Sequence, residues 1–239
     1  MSYSIYDLVD VSTRKISQLD AVTNNIANAG TPGFKAEHLH FAMKDDKGVL
    51  ADGQTSSYVP IMMVNFSQGG IQKTGNVMDM AIHEEGFFAV ETKNGVAYTR
   101  RGNFTLNRNN ELVTQSGDYI LGTGGQHIVI NGNDLEVDNQ GTIKVDGNEA
   151  GRLKVVAFDN IKALLPKGEG LFADPGNAAV KNLDKPAVTS GYLENANVQV
   201  LREMVDMINI QHSFETYQKA IQTITDLDRL STSRVGRLA

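Results

Sequence analysis

The sequence predicts an α+β protein in which an N-terminal and a C-terminal helix form a coiled-coil-like pair and flank a central antiparallel all-β domain. The first observation is the placement of helix breakers. All but one of the 23 glycines and all five prolines lie between Gly30 and Gly191. Helix interiors exclude both residues, because Gly costs about 1 kcal/mol there and Pro about 3 kcal/mol. The flanking segments 1–29 and 192–235 are therefore predicted to be helical.

The second observation is the apolar period of the first segment. Large apolar side chains follow one another at combined spacings of three and four residues, at Ile5, Val9, Ile16, Leu19 and Ile26. This pattern is typical of a helix with one face made for a partner. The helix should end near residues 28–33, since Gly30 can cap it and Pro32 cannot continue it.

The last segment has a longer apolar pattern with two faces. Its first face repeats at heptad spacing and comprises Val200, Met207, Ile210, Phe214, Tyr217, Ile221 and Ile224. A second face occupies only the first half of the helix and comprises Leu201, Met204, Val205 and Ile208. A helix that is apolar nearly all round should be buried on several sides. Two helices cannot supply that cover by themselves, so we expect further apolar contact from copies of the same protein.

The middle of the chain is the third observation. Its short runs rich in β-branched and aromatic residues, separated by Asn-Gly and Asp-Gly turns, predict strands at 87–90, 96–99, 128–130 and 153–158. We therefore divide the chain into three parts. Residues 1–33 plus 192–239 form a helical assembly domain, 34–75 plus 176–191 an extended connecting region, and 76–175 the central β domain.

Composition narrows the function. Hydrophobic residues make up 41% and charged residues 21% of the 239 residues, which suits a packed core. The net charge of -6 disfavours nucleic-acid binding, which rewards basic patches. The absence of cysteine excludes disulfides, thiol catalysis and Cys-based metal sites. Neither a cleavable signal peptide nor an apolar run long enough to span a membrane is visible.

Motifs that could carry chemistry are weak. Ser12 begins an S-x-x-K match and Lys73 a K-T-G match, which together suggest a β-lactamase-like site. A Ser-Asp-Asn box is missing, and the two matches are too close for the domain expected between them. His38 and His40 could share a strand face beside Glu37, but a metal site needs a further placed ligand. We therefore predict no catalytic residue, no cofactor and no metal.

Three stretches together resemble the bacterial flagellar rod and hook family of axial proteins. They occur in family order and span nearly the whole chain. The first is LDAVTNNIANAGTPGFK (19–35); the second is GNVMDMAIHEEGFFAV (75–90) with YTRRGNF (98–104); the third is GYLENANV (191–198) with MVDMI (204–208) and YQKAI (217–221). Each match alone is moderately specific, and the set is very specific.

The first of these stretches contains the turn expected to end the N-terminal helix. Asparagines are poor interior helix residues and good local hydrogen-bonders. Glycines can adopt positive φ, and proline stiffens a turn. We expect Gly30 and Gly33 to have positive φ and Phe34 to anchor the turn against a core. The candidate turn residues are Asn24, Asn25, Asn28, Gly30, Pro32, Gly33 and Phe34.

The resemblance implies a non-enzymatic subunit whose terminal helices fold as copies pack into a tube around an export channel. It implies partnership with copies of itself, with other rod and hook proteins and with the flagellar type III export apparatus, and a location in the periplasmic rod of the basal body. Residues 31–34, 84–87 and 151–155 look most like the proximal rod protein. Residues 87–88 and 197–198 look equally like the distal one. Outside the family, a monomeric binding β domain with helical arms stays open, as does a cell-wall enzyme built on Ser12.

Overall fold

The structure is a computed structural model that describes residues 2–43, 58–132 and 134–235. In these residues the chain forms two long helices, α1 (Ser2–Ala27) and α2 (Val200–Val235), and one 3-10 helix at Ile161–Ala163. The strands are β1 (Glu37–Met43), β2 (Tyr58–Val64), β3 (Ile71–Lys73), β4 (Met80–Ile82), β5 (Phe87–Thr92), β6 (Gly95–Thr99), β7 (Thr105–Leu106), β8 (Leu112–Val113), β9 (Tyr119–Ile120), β10 (Leu135–Val137), β11 (Thr142–Val145), β12 (Asn148–Arg152), β13 (Val155–Phe158), β14 (Leu165–Gly168), β15 (Leu171–Ala173), β16 (Val180–Asn182), β17 (Val188–Ser190) and β18 (Tyr192–Glu194).

The described residues fall into two compact units. The helical unit comprises Met1–Ala27, Glu37–Met63 and Gln199–Ala239, and the β unit comprises Asn28–Ala36 and Val64–Val198. In the helical unit, α1 packs against α2 and also contacts β1, which pairs with β2. The chain passes between the units four times, because each unit is built from separate stretches of sequence.

The β unit is built on a nine-stranded sheet. Its main path runs β14-β15-β6-β5-β9-β8-β7, with β13 beside β5 and β16 beside β13. A three-stranded sheet, β10-β11-β12, and the pairs β17-β4 and β18-β3 complete the unit. All the pairings within it are antiparallel; for example, Ala89 on β5 lies opposite Tyr98 on β6. Antiparallel neighbours joined by short turns are what the Asn-Gly and Asp-Gly signals favour.

Two apolar clusters hold the β unit together. The larger contains fully buried aliphatic residues from β4, β5, β8, β9 and β11, with Phe88 and Phe104 in edge-to-face contact at 5.0 Å between ring centroids. The smaller is aromatic. Phe87 lies 5.5 Å from Phe158 and 5.9 Å from Phe172, again edge to face. Such ring pairs add to the free energy gained by burying their area.

The structure confirms the α+β class, with a central antiparallel β region between two terminal helices in sequence. The coiled-coil form of the helix pair and the three-part domain division stay predictions. One predicted strand is wrong, since residues 128–130 make only one isolated bridge, Val129 with Glu111. The apolar alternation there reflects burial of Ile128 and Ile130 without a continuous ladder. The segment 34–75, which lacks a clear sequence period, contains β1, β2 and β3. The predicted helical segment 192–235 begins too early, because residues 192–194 pair with β3 as β18 and α2 begins at Val200.

Candidate assembly surface

The heptad face of α2 is half-buried within the single chain. All seven residues of the predicted stripe, from Val200 to Ile224, have intermediate exposure, whereas most residues between them are exposed. The helix α1 packs against α2, so this face has a partner within the helical unit. On α1, Leu19 and Ile26 are also half-buried. Val9 and Ile16 remain about half exposed, and the side chain of Ile5 lies outside the described residues.

The second apolar face of α2 is uncovered. Leu201 is 81% exposed, and Met204, Val205 and Ile208 are 45–57% exposed. The expectation that the first half of α2 is buried on several sides is therefore wrong for the single chain. One helix partner covers one side of α2, and the fold of this chain supplies no cover for the other among its described residues.

Asn25 ties the end of α1 to two other elements of the helical unit. Its side chain is completely buried, although neighbouring Asn24 is exposed. The Asn25 amide donates to the Glu37 carbonyl at 2.9 Å and to the Glu203 carboxylate at 3.3 Å, and its oxygen accepts from the Glu37 backbone N–H at 2.9 Å. An amide has both donor and acceptor atoms, so one side chain links α1, β1 and the first turns of α2.

The turn after α1 belongs to the β unit. Asn28 accepts a hydrogen bond at its carbonyl from the Thr31 backbone N–H at 2.9 Å, and the half-buried Pro32 follows. Gly33 has φ +67°, as expected, and Phe34 is buried. The expected positive φ of Gly30 is wrong, because Gly30 lies outside the left-handed region and a Cβ there would meet open space. Its backbone needs no conformation that only glycine adopts readily.

A buried charge cluster beside this turn was missed by the sequence reasoning. The Lys35 ammonium lies 2.5 Å from Glu194 Oε1, and the Arg100 guanidinium lies 3.4 Å from Glu194 Oε2. The Lys35 ammonium also donates to the Ser67 carbonyl at 2.8 Å. Each of the three charged residues is at most 5% exposed. All three stood inside the resemblance motifs, but no sequence period indicated that they would meet.

Burial is the main cause of the pKa shifts of the two cations in this cluster. Desolvation lowers the pKa of Lys35, and the nearby Glu194 carboxylate partly opposes that effect. Desolvation likewise lowers the pKa of Arg100 and is again opposed by Glu194. The Arg100 guanidinium also stacks over the Phe87 ring at 5.3 Å. Burying charges is costly unless they are paired, and here one carboxylate faces two cations.

The candidate catalytic residues lie in different units, and the candidate metal residues share one strand. Ser12 is buried on α1 in the helical unit, whereas Lys73 is exposed on β3 in the β unit. His38 and His40 are both exposed on β1, two residues apart. Among the described residues, no group of three or more His, Asp or Glu side chains is placed to hold a metal ion. Neither α1 nor α2, as far as they are described, has the apolar length needed to cross a membrane.

Three models of known protein families match separate stretches of this chain. Residues 14–35 match the family model described as flagella basal body rod protein, residues 81–145 the flagellar hook protein FlgE/F/G D1 domain, and residues 189–233 the flagellar basal body rod FlgEFG protein C-terminal region. The three matches fall on α1 with its turn, on the β unit, and on the last strand with α2.

Individual relatives are similar over most of their length. The flagellar basal-body rod protein FlgF of Caulobacter vibrioides is 35% identical over 92% of this chain and 93% of its own. The rod protein FlgG of Bacillus subtilis is 29% identical over 95% of this chain and 97% of its own. FlgF of Rhizobium meliloti is 31% identical over 83% of each chain. This chain belongs to the flagellar basal-body rod protein family.

Proposed function

We propose that this chain is a structural subunit of the flagellar basal-body rod. Its terminal helices pack with those of other copies into a tube around the export channel, and the assembled tube transmits torque as a drive shaft. The assembly residues are those of the two helix stripes, together with Asn24 and Asn25 at the end of α1 and the turn residues Asn28, Gly30, Pro32, Gly33 and Phe34. In this function the chain has no reaction to catalyse and needs no cofactor, which accords with a family of structural rod proteins.

The uncovered face of α2 is the observation that carries this proposal. At 3.6 residues per turn, its centre lies about 150° around the helix axis from the centre of the heptad face. Since α1 packs on the heptad face, a helix on the opposite side has to come from another molecule. A patch on one side of α2 and a partner surface elsewhere form a heterologous contact, which builds open helical filaments when the rotation does not close.

The length of α2 also fits a wall made of packed helices. The 36 residues of α2 would extend roughly 54 Å at 1.5 Å per residue, far longer than the strands it follows. The heptad pattern of α2 favours a coiled-coil pairing of α1 with α2. We assign 1–33 plus 192–239 to assembly, 34–75 plus 176–191 to connection and 76–175 to the outer β domain.

Within the rod we favour the proximal segment. The relatives named FlgF include the 35% match, whereas those named FlgG reach 28–30%. The distal segment is the alternative, because FlgG relatives cover the chain equally well. The partners would be neighbouring rod and hook proteins. Export through the flagellar type III apparatus to the periplasmic part of the basal body would need no cleavable signal.

Electron microscopy of basal bodies from a strain lacking this chain tests the proposal. We expect bodies that stop before a complete rod and hook, and the length of the remaining stub separates a proximal from a distal position. Re-expression of the chain should restore full rods. Complete rods and hooks in the deletion strain, with no related gene to substitute, would overturn the proposal in favour of a monomeric binding protein.

A further inference from the structure

The β unit gathers the chain ends through which it continues into the helical unit. These ends lie at Asn28, Ala36, Val64 and Val198. The turn that follows α1 and the segment that precedes α2 are directly hydrogen-bonded, since the Gly33 N–H donates to the Glu194 carbonyl at 2.6 Å. The Asn65 N–H donates to the Ala36 carbonyl at 2.8 Å, which ties in the stretch that follows β2.

Asn197 connects the same stretches through its side chain. Its Oδ1 accepts from the Ala36 N–H at 2.7 Å. Its amide group donates to the carbonyls of Asn65 and Ser67 at 2.8 and 2.9 Å. One side chain just before α2 therefore holds the stretch that leads to β1 and the stretch that follows β2.

The buried charge cluster lies in the middle of these connections. Glu194 Oε1 receives both the Lys35 ammonium and the Gly69 N–H, the latter at 2.9 Å, while Oε2 faces Arg100. Arg100 also donates to the Glu84 carbonyl at 2.8 Å and so is held by the β unit itself. The cluster spans three distant parts of the sequence: the turn after α1, the core of the β unit and the strand that leads to α2.

We propose that Lys35, Arg100 and Glu194 are positioning residues that lock the exits of both terminal helices from the β unit in one register. The consequence for rod building rests on the function proposed above. Apolar contacts tolerate small shifts, whereas a buried carboxylate shared by two cations is satisfied in one arrangement only. The lock thus sets, within the β unit, where the chain enters from α1 and where it leaves toward α2 relative to the same strands.

A role of the cluster in register can be distinguished experimentally from a role in stability, because buried ion clusters often contribute little net stability. Apolar replacements of similar volume can leave a fold as stable as before, whereas removing one partner strands the others. If the cluster serves register, an apolar version should keep the β unit folded and yet loosen the exits. If the cluster serves only stability, a folded apolar version should behave like the natural chain.

Amide hydrogen exchange of the full-length chain distinguishes these outcomes. The test variant combines Lys35→Met, Arg100→Met and Glu194→Leu; the exposed Glu149→Gln on β12 is the matched control. We expect exchange at the Gly33 and Ala36 amides to accelerate by at least about tenfold in the triple variant. The Leu121 amide, which donates to the Ala89 carbonyl at 2.9 Å in the core, should be unchanged. Wild-type protection of Gly33 and Ala36 in the folded triple variant would overturn the proposal.

A single substitution and a cellular assay complete the test. Glu194→Gln should accelerate exchange at the Gly69 amide, which donates directly to the carboxylate. If the triple variant does not fold, Glu194→Gln alone serves as the test. If Glu194→Gln does not fold, the triple variant serves alone. In a deletion strain, the triple variant should reach the cell envelope but form few rods, and normal rods would again overturn the proposal. Complete rods in the empty deletion strain would refute the proposed function instead, without altering the exchange result.

Discussion

Replacing Gly33 by alanine should weaken the turn after α1 strongly. Gly33 has φ +67°, and a Cβ at this position would lie 2.5 Å from the backbone C and O atoms of Arg100 and from N of Arg101. The left-handed conformation costs a non-glycine residue about 1–2 kcal/mol. Relieving a clash with backbone atoms costs about 1–3 kcal/mol more, because the backbone has to move. The β unit should lose about 2–5 kcal/mol of its free energy of unfolding, which corresponds to a fall in Tm of about 6–15 °C at roughly 3 °C per kcal/mol.

Gly30 provides the matched control three residues earlier. A Cβ there meets nothing within 4 Å, and its φ lies outside the left-handed region. Gly30→Ala should therefore leave stability unchanged or raise it by up to about 1 kcal/mol through the unfolded state. Differential scanning calorimetry suits both variants, since the chain has no tryptophan to report unfolding by fluorescence. A Gly33→Ala chain within about 0.5 kcal/mol of wild type, or an equal loss for Gly30→Ala, would refute the assigned backbone geometry.

Three further predictions concern other parts of the chain. Asn25→Asp should cost the helical unit about 1–3 kcal/mol, because a second carboxylate would face Glu203 where the amide now donates. The expected readout is faster exchange of the Glu37 amide, and unchanged exchange would contradict the link described for Asn25. Leu201→Asp should leave the circular dichroism spectrum unchanged and abolish rod assembly, and normal rods would show that this face is not an interface. His127 lies between Glu91 at 2.6 Å and a second carboxylate at 3.4 Å, and its hydrogen bond to Glu91 raises its pKa above 6.5. These ion pairs contribute fully to the free energy of unfolding below pH 6.5, and the contribution is lost as the pH rises through the folded pKa of His127. The Tm should therefore fall by no more than about 2 °C between about pH 6 and 8. An equal fall in the His127→Gln variant would rule out this cause.

Residue patterns with a short period were enough to predict much of the fold. The absence of Gly and Pro located both helices, and α1 ends at Ala27, close to the predicted position. The assignment of Asn24 and Asn25 to the turn is wrong, because both lie within α1 and only Asn28 follows it. The runs 87–90 and 96–99 became β5 and β6. Side chains on both faces of β5 are buried at 87–90, whereas on β6 Ala97 and Thr99 are buried and Val96 is exposed. The run 128–130 shows the limit of this reasoning. Burial pattern alone does not specify which neighbour, if any, supplies a continuous ladder.

The candidate site was less predictable, because its polar contacts join residues far apart in sequence. Lys35 and Glu194 are separated by 159 positions, and Asn25 and Glu203 by 178. Periodicity describes what a residue does relative to its own helix or strand, so it cannot pair two single polar residues across the chain. The asparagine turn was recognised as a cap and a turn, both local roles. Its link to Glu203 and the cluster around Glu194 depend on tertiary packing.

The exposed apolar residues of α2 are a feature that the sequence predicted and the fold of one chain does not account for. The sequence shows a helix that is apolar on two sides, and the fold of one chain covers only the heptad side. An exposed Leu201 at 81% is unremarkable alone, but Leu201, Met204, Val205 and Ile208 form one continuous patch within eight residues. Apolar faces of helices are normally buried against a partner. By this rule, a helix with more apolar surface than its own chain covers needs a further partner. On the function proposed above, the second apolar face of α2 would be covered only in the assembled rod, and the polar cluster at Glu194 and the Asn25 contacts would determine how each copy enters it.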